Sequence, residues 1–160
     1  MSSGLADYRD LLPRGDADAL HIELDNGAIL VAGRYALIMI REGEVADSAM
    51  WYEVQSARWE GEKQELSVNW VDPARSPLVV HSSHSPMRPF MEDISEKVNR
   101  TQVLVRSVKA PNGAVITAQI RKREDGKLFS VLAARGRLDD EAMELAHSLE
   151  KQLRESVGLE

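Results

Sequence analysis

Along the first half of this 160-residue chain apolar positions recur mainly every second residue, whereas in two later stretches they recur every third or fourth. The first spacing is that of a strand with alternating faces, the second that of a helix with one apolar stripe. His21-Ile22-Glu23-Leu24 alternates and runs into Asp25-Asn26-Gly27. Asn-Gly predicts a hairpin of type I′, in which both central residues take positive φ. Tyr35-Ala36-Leu37-Ile38-Met39-Ile40 is continuously apolar over strand length and predicts a strand covered on both faces, turned by Glu42-Gly43-Glu44. In Trp51-Tyr52-Glu53-Val54-Gln55-Ser56-Ala57-Arg58-Trp59 the alternation fails midway. One extra residue near Gln55-Ser56, a β-bulge, restores an inward set of Tyr52, Val54, Ala57 and Trp59 and leaves Trp51 at the strand's start. In the partner strand Leu66, Val68 and Trp70 alternate with polar residues, and Leu78 to His81 supplies a further strand.

The period then changes. Phe90, Met91, Ile94 and Val98 follow Pro89 at helical spacing, predicting a helix of about ten residues near 90–100. Strands resume at Val103, turn at Pro111-Asn112-Gly113, alternate through Ala114, Ile116, Ala118 and Ile120, and turn again at Asp125-Gly126 into residues 128–133, a three-stranded meander. A long C-terminal helix is predicted from Asp140, capped by Asp139, with Leu138 and Met143 at hydrophobic-staple positions and Gly158 at its end. Residues 5–12 suit a short helix broken at Pro13. The expected fold class is α+β, mainly antiparallel β. It is organised as an N-terminal segment (1–17), a strand-rich region ending in the internal helix (18–100), and a meander plus C-terminal helix (101–160) packed on the same core.

The order of elements over 18–100, short strands through GRYALIMIREGEVADSAMWYEVQSARWEGEKQELSVNWVD and LVVHS and then the helix PFMEDISEKVN, resembles the bacterial pleckstrin-homology-like (PH-like) barrel. The resemblance implies a meander of strands closed at one end by a helix. Phosphoinositide-binding members present Lys and Arg in the first strand-turn-strand, whereas this chain offers Leu24-Asp25-Asn26-Gly27, so the resemblance does not extend to an inositol phosphate site. The whole chain is similar to short, uncharacterised actinobacterial proteins through Asp125-Gly126-Lys127-Leu128-Phe129 and Val157-Gly158-Leu159. That similarity implies no activity.

Composition narrows the chemistry. With 43% hydrophobic residues the chain can bury a core. Its net charge of -6 disfavours the broad electropositive surface on which nucleic-acid affinity rests, so no nucleic acid is expected as a partner. There is no cysteine, which removes disulfides, thiolate metal sites and a thiol nucleophile. The opening residues lack an apolar signal core, and the longest apolar run, 28–40, is too short to cross a bilayer. No transmembrane segment and a cytoplasmic location are therefore expected.

Few residues suggest a site. His81 and His84 could hold a metal if a turn joined them to Glu92 or Asp93, but on an extended strand they point apart. Ser82 and Ser83 beside a sequence-adjacent histidine do not build a hydrolase triad. Arg121, Lys122, Arg123 and Lys127 read as a basic hairpin tip, available to an acidic partner or simply solvated. Trp59 and Trp70 read as core, and Trp51, at a strand entry, is left open between core and ligand contact. No cofactor motif is present. These features favour a non-catalytic protein-binding or scaffolding module. The alternative is a carrier of a small molecule or lipid with an apolar cavity between sheet and C-terminal helix, and a metal-dependent enzyme using His81 and His84 ranks third.

Overall fold

The computed structural model describes residues 10–159 apart from 14 and 17. The chain divides into two compact units, Met1–Asn99 and Arg100–Glu160, built from antiparallel sheets and two helices as the periodicities predict. The helix expected over 5–12 falls largely outside the described residues.

In the first unit β1 (Leu20–Glu23), β2 (Ile29–Ala32), β3 (Ala36–Arg41) and β4 (Glu44–Met50) form one antiparallel sheet in sequence order. β5 (Val54–Glu60), β6 (Glu65–Trp70) and β7 (Leu78–His81) form a second, and α1 (Met87–Thr101) follows. Ile22, Leu30, Leu37 and Met39 from the first sheet meet Val54, Leu66, Val68 and Trp70 from the second, with Phe90, Ile94 and Val98 of α1 in the same core. The other face of β2 and β3 is also covered. Ile29, Val31, Ile38 and Ile40 pack there with Leu11, Leu12 and Ala19, so the continuous apolar run does mark a strand buried on both sides.

The stretch around Trp51 behaves differently from a single strand. Trp51–Glu53 is a 3-10 turn that carries the chain from one sheet to the other, and the Glu53 carboxylate accepts from the Met50 amide at 2.7 Å. The irregularity near Gln55-Ser56 is present, since Val54 faces Trp70 and Ser56 faces Asn69. Trp59 and Trp70 lie at opposite ends of this ladder. Trp70 is buried, and Trp59 is half-buried against the core. β4 has no apolar alternation to announce it, because six of its seven residues are open to solvent to some degree and only Ala49 is buried.

Three hairpins share one loop chemistry. At Leu24–Ala28, Ala110–Ala114 and Arg123–Lys127 the first residue's amide bonds the last residue's carbonyl, and the glycine amide returns to the first residue's carbonyl. The Asn26, Asn112 or Asp125 side chain accepts the amide two residues on. Only the glycines (Gly27, Gly113, Gly126) have positive φ. The loop is therefore a three-residue connection ending in a left-handed glycine, not the two-residue type I′ turn expected at Asn26-Gly27. The two-residue form occurs instead at Glu42-Gly43, where both φ values are positive, 52° and 78°.

The second unit is a meander, β8 (Gln102–Lys109), β9 (Val115–Lys122) and β10 (Leu128–Arg135) with β9 central, followed by α2 (Asp140–Ser156). Asp139 caps α2 by accepting from the Ala142 amide at 2.8 Å. At the other end Gly158, at positive φ, lets the Leu159 and Gly158 amides return to the carbonyls of Arg154 and Glu155, a Schellman ending. Ala142, Ala146, Leu149 and Leu153 pack with Ile116, Ala118 and Ile120.

Two outcomes follow. Leu153 is 1% exposed, so Leu153→Ala should destabilise the second unit by about 2–5 kcal/mol, read from the shift of its urea unfolding midpoint. Glu42 holds a left-handed conformation that asparagine tolerates better, so Glu42→Asn should stabilise the first unit by about 0.5–1 kcal/mol in the same measurement.

Candidate functional site

β5 lies at the edge of its sheet, pairing with β6 on one side. An edge strand presents backbone N–H and C=O groups on its other side. Trp59 of β5 and one flank of α1 line an open groove of about 770 Å³. Helical spacing sets the two rows of that flank. Met87, Met91 and Ser95 form the inner row, and Arg88, Glu92 and Glu96 the outer. The floor is an indole and two thioethers, a surface that adapts to varied apolar side chains. Ser95, small and exposed, leaves room midway, while Arg88 pairs with Glu92 at 3.2 Å along the rim.

What fixes α1 beside the strands is a corner at Ala32-Gly33. The Trp51 indole N–H donates to the Gly33 carbonyl at 2.8 Å. The Lys97 ammonium on α1 donates to the Ala32 carbonyl at 3.2 Å, pairs with Asp93 at 2.5 Å and stands 6.0 Å from the Trp51 ring. Gly33 has no room for a side chain, since a Cβ there would sit 2.5 Å from the Asp16 carboxylate and 2.9 Å from the Ala36 carbonyl. Trp51 is thus a buried, hydrogen-bonded anchor, 4% exposed, rather than an open aromatic surface.

No family model matches the sequence, and no curated protein matches it. Among solved structures, the crystal structure of the FERM and C-terminal domain complex of Drosophila Merlin matches with 14% identity and a TM-score of 0.40, over 51% of this chain and 28% of that one.

The remaining sequence candidates separate. His81 is exposed on β7, its Nε2 3.2 Å from the Glu65 carboxylate across the ladder, and His84 is exposed in the following loop. Among the described residues no three His, Asp or Glu groups gather as a metal site, and no helix is long and apolar enough to cross a membrane. The serines that flank His84 and follow His81 bond to the β1 end. Ser82 Oγ donates to the Glu23 carbonyl at 2.7 Å, Ser85 Oγ accepts from the Glu23 amide at 2.9 Å, and Asp25 accepts from both the Ser83 hydroxyl and its amide. This serine loop ties the β1–β2 turn to the end of β7.

Of the expected basic tip, Lys122, Arg123 and Lys127 are exposed, but Arg121 is wholly buried. β9 runs on through Lys122, so the period of two sends Arg121 to the face opposite Lys122. Its guanidinium donates to Gln119 Oε1 at 3.1 Å and Thr101 Oγ1 at 2.8 Å. Burial lowers its pKa from arginine's ordinary value, yet it remains charged at neutral pH. Sequence reasoning missed Met87, Arg88 and Ser95 altogether. The signal was available in the four-residue spacing of Met87, Met91 and Ser95, but only a strand edge alongside turns that row into a groove wall.

The Ser83 hydroxyl, and then the Ser83 amide, hold the Asp25 carboxyl below its ordinary 3.8. A carboxyl with a depressed folded pKa stabilises fully above its unfolded value and loses that contribution as pH falls through the folded one. Urea unfolding between about pH 3 and 7 should therefore show Asp25→Asn less stable than the parent near neutrality, with the gap closing below about pH 4. Parallel profiles at every pH would remove the role assigned to this carboxylate.

Proposed function

We propose that residues 18–100 form a PH-like barrel acting as a non-catalytic protein-binding module, with 101–160 as an appended meander-and-helix element. One observation carries the reading: among the described residues β5 is an edge strand of its sheet, and its Trp59 lines an apolar groove together with Met87 and Met91 of α1. An extended segment of a partner protein adds to such an edge through backbone hydrogen bonds, which give affinity without regard to sequence. Every second side chain of that segment then points into the groove, which selects apolar ones. The sheet-then-helix order of the first unit supports the barrel assignment, because α1 packs across the core that both sheets share.

The carrier reading has weaker support. The crevice bounded by Met39, Ala49, Trp70 and Leu78 has a volume of about 10 Å³, room for about one water, and the α2 stripe packs directly with the sheet residues beneath it. The acidic Asp25 in the first turn favours no phosphoinositide. His81, exposed and paired with Glu65, and His84, exposed in the loop that follows, lend little to a metal-dependent enzyme. The cytoplasm is the compartment this reading assumes.

A random-peptide display selection against the full chain tests the proposal. Selected peptides should carry apolar residues at alternate positions and perturb the backbone amide NMR signals of β5 and α1. Ser95→Trp, which fills the groove from an exposed position, should weaken them by at least tenfold while leaving the unfolding midpoint in place. Peptides that bind Ser95→Trp as well as the parent, or that perturb signals elsewhere, would refute the assignment.

A further inference from the structure

The net charge of -6 conceals a strong asymmetry. Residues 100–137, the whole of the β8–β10 meander, hold nine Lys and Arg against two acids, while the rest of the chain holds eleven against twenty-four. Of the nine, only Arg121 is buried. The face of this sheet opposite α2 is laid out in rows by the strand register. Lys109, Val115 and Arg135 form the end row, and Ser107, Thr117 and Ala133 the next. Lys109 and Arg135 are exposed and form no ion pair among the described residues, Val115 is 38% exposed, and the Ser107 and Thr117 hydroxyls share a 2.8 Å hydrogen bond on the surface. Two strand spacings put the backbones under the two cations roughly 10 Å apart. The ground between them is flat, built from one valine, one alanine and two small hydroxyl residues.

We infer that this end of the β8–β10 face binds an extended acidic segment of a protein, laid across the strands with carboxylates on Lys109 and Arg135 and its backbone over Ser107, Thr117 and Ala133. Charge complementarity selects the sign of the partner. The composition of the surface selects its class. Single-stranded nucleic acid needs aromatic rings for its bases, and the sole aromatic of residues 100–160, Phe129, lies two rows further along, half-buried. A lipid surface is held by long apolar or aromatic side chains beside the cations, and these two rows hold none. This surface belongs to the second unit, and the inference stands independently of the reading given to the β5 groove.

Fluorescence anisotropy with a labelled peptide of ten glutamates, titrated with the full chain at low salt, tests this. Saturable binding is expected, weakening as salt is raised. Lys109→Glu/Arg135→Glu should weaken it by at least tenfold, and Lys109→Gln/Arg135→Gln by less. Lys122→Glu/Lys127→Glu, at the opposite end of the sheet, should change it less than twofold. All six substitutions are at exposed positions, and an unaltered thermal unfolding midpoint confirms that each variant folds. Equal binding by the parent and Lys109→Glu/Arg135→Glu would overturn the inference, as would equal losses at the two ends of the sheet. Tighter binding of oligo(dT) or of phosphatidylserine-containing vesicles than of the peptide would overturn it in favour of nucleic acid or membrane.

Discussion

The groove of the first unit depends on the two backbone carbonyls at Ala32 and Gly33. One accepts from Lys97 of α1 and the other from the Trp51 indole, so a single bend between β2 and β3 positions both the helix and the turn that leads into β5. Both donors are largely withdrawn from water, where leaving such a group without its acceptor costs about 1–3 kcal/mol and more for a charge. The bend in turn depends on a residue without a side chain. The Asp16 carboxylate fills the space a Cβ at position 33 would need, and its Oδ1 accepts the Arg34 amide at 3.1 Å. Packing of Phe90, Ile94 and Val98 supplies the larger part of the helix's adhesion. The polar corner supplies its register, since hydrogen bonds are directional and hydrophobic contact is not.

Much of the fold was legible because local chemistry and tertiary packing agree. The bulge at Gln55-Ser56 could be read from the break in alternation, since a one-residue slip would otherwise turn Ala57 and Trp59 outward. The α2 ends could be read from Asp139 and Gly158 for reasons internal to a helix terminus. β4 was illegible. Its order comes from pairing with β3, and a strand with one buried residue has no hydrophobic signature. Trp51 misled for a related reason: three residues in a 3-10 turn rotate side chains by a rule that neither strand nor helix periodicity detects.

The site was far less legible than the fold. Arg121, Lys122 and Arg123 look alike as a run, but a strand separates neighbours onto opposite faces, and composition alone does not reveal which of three cations turns inward. Net charge misled in the same way by averaging an acidic first unit and an acidic α2 with a basic sheet. The groove requires β5 to be an edge and α1 to lie beside it. Both are facts of topology, and each residue involved, Met91 or Ser95 for instance, has an ordinary helical explanation on its own.

The meander of the first unit also shapes how it can fold. Each of its ladders joins strands consecutive in sequence, so the hairpins form from near neighbours at little entropic cost. The bonds that close the unit reach much further. Glu23 to Ser85 spans 62 residues and Lys97 to Ala32 spans 65. Loop closure over such lengths is compensated only once the core between the sheets has formed, which makes these bonds late arrivals on the folding path. Until they form, the β5 edge lacks the corner that sets α1 beside it and stands as an unguarded template for pairing with other chains. The edge beside the groove is thus also a site at which an incompletely folded molecule is prone to aggregate.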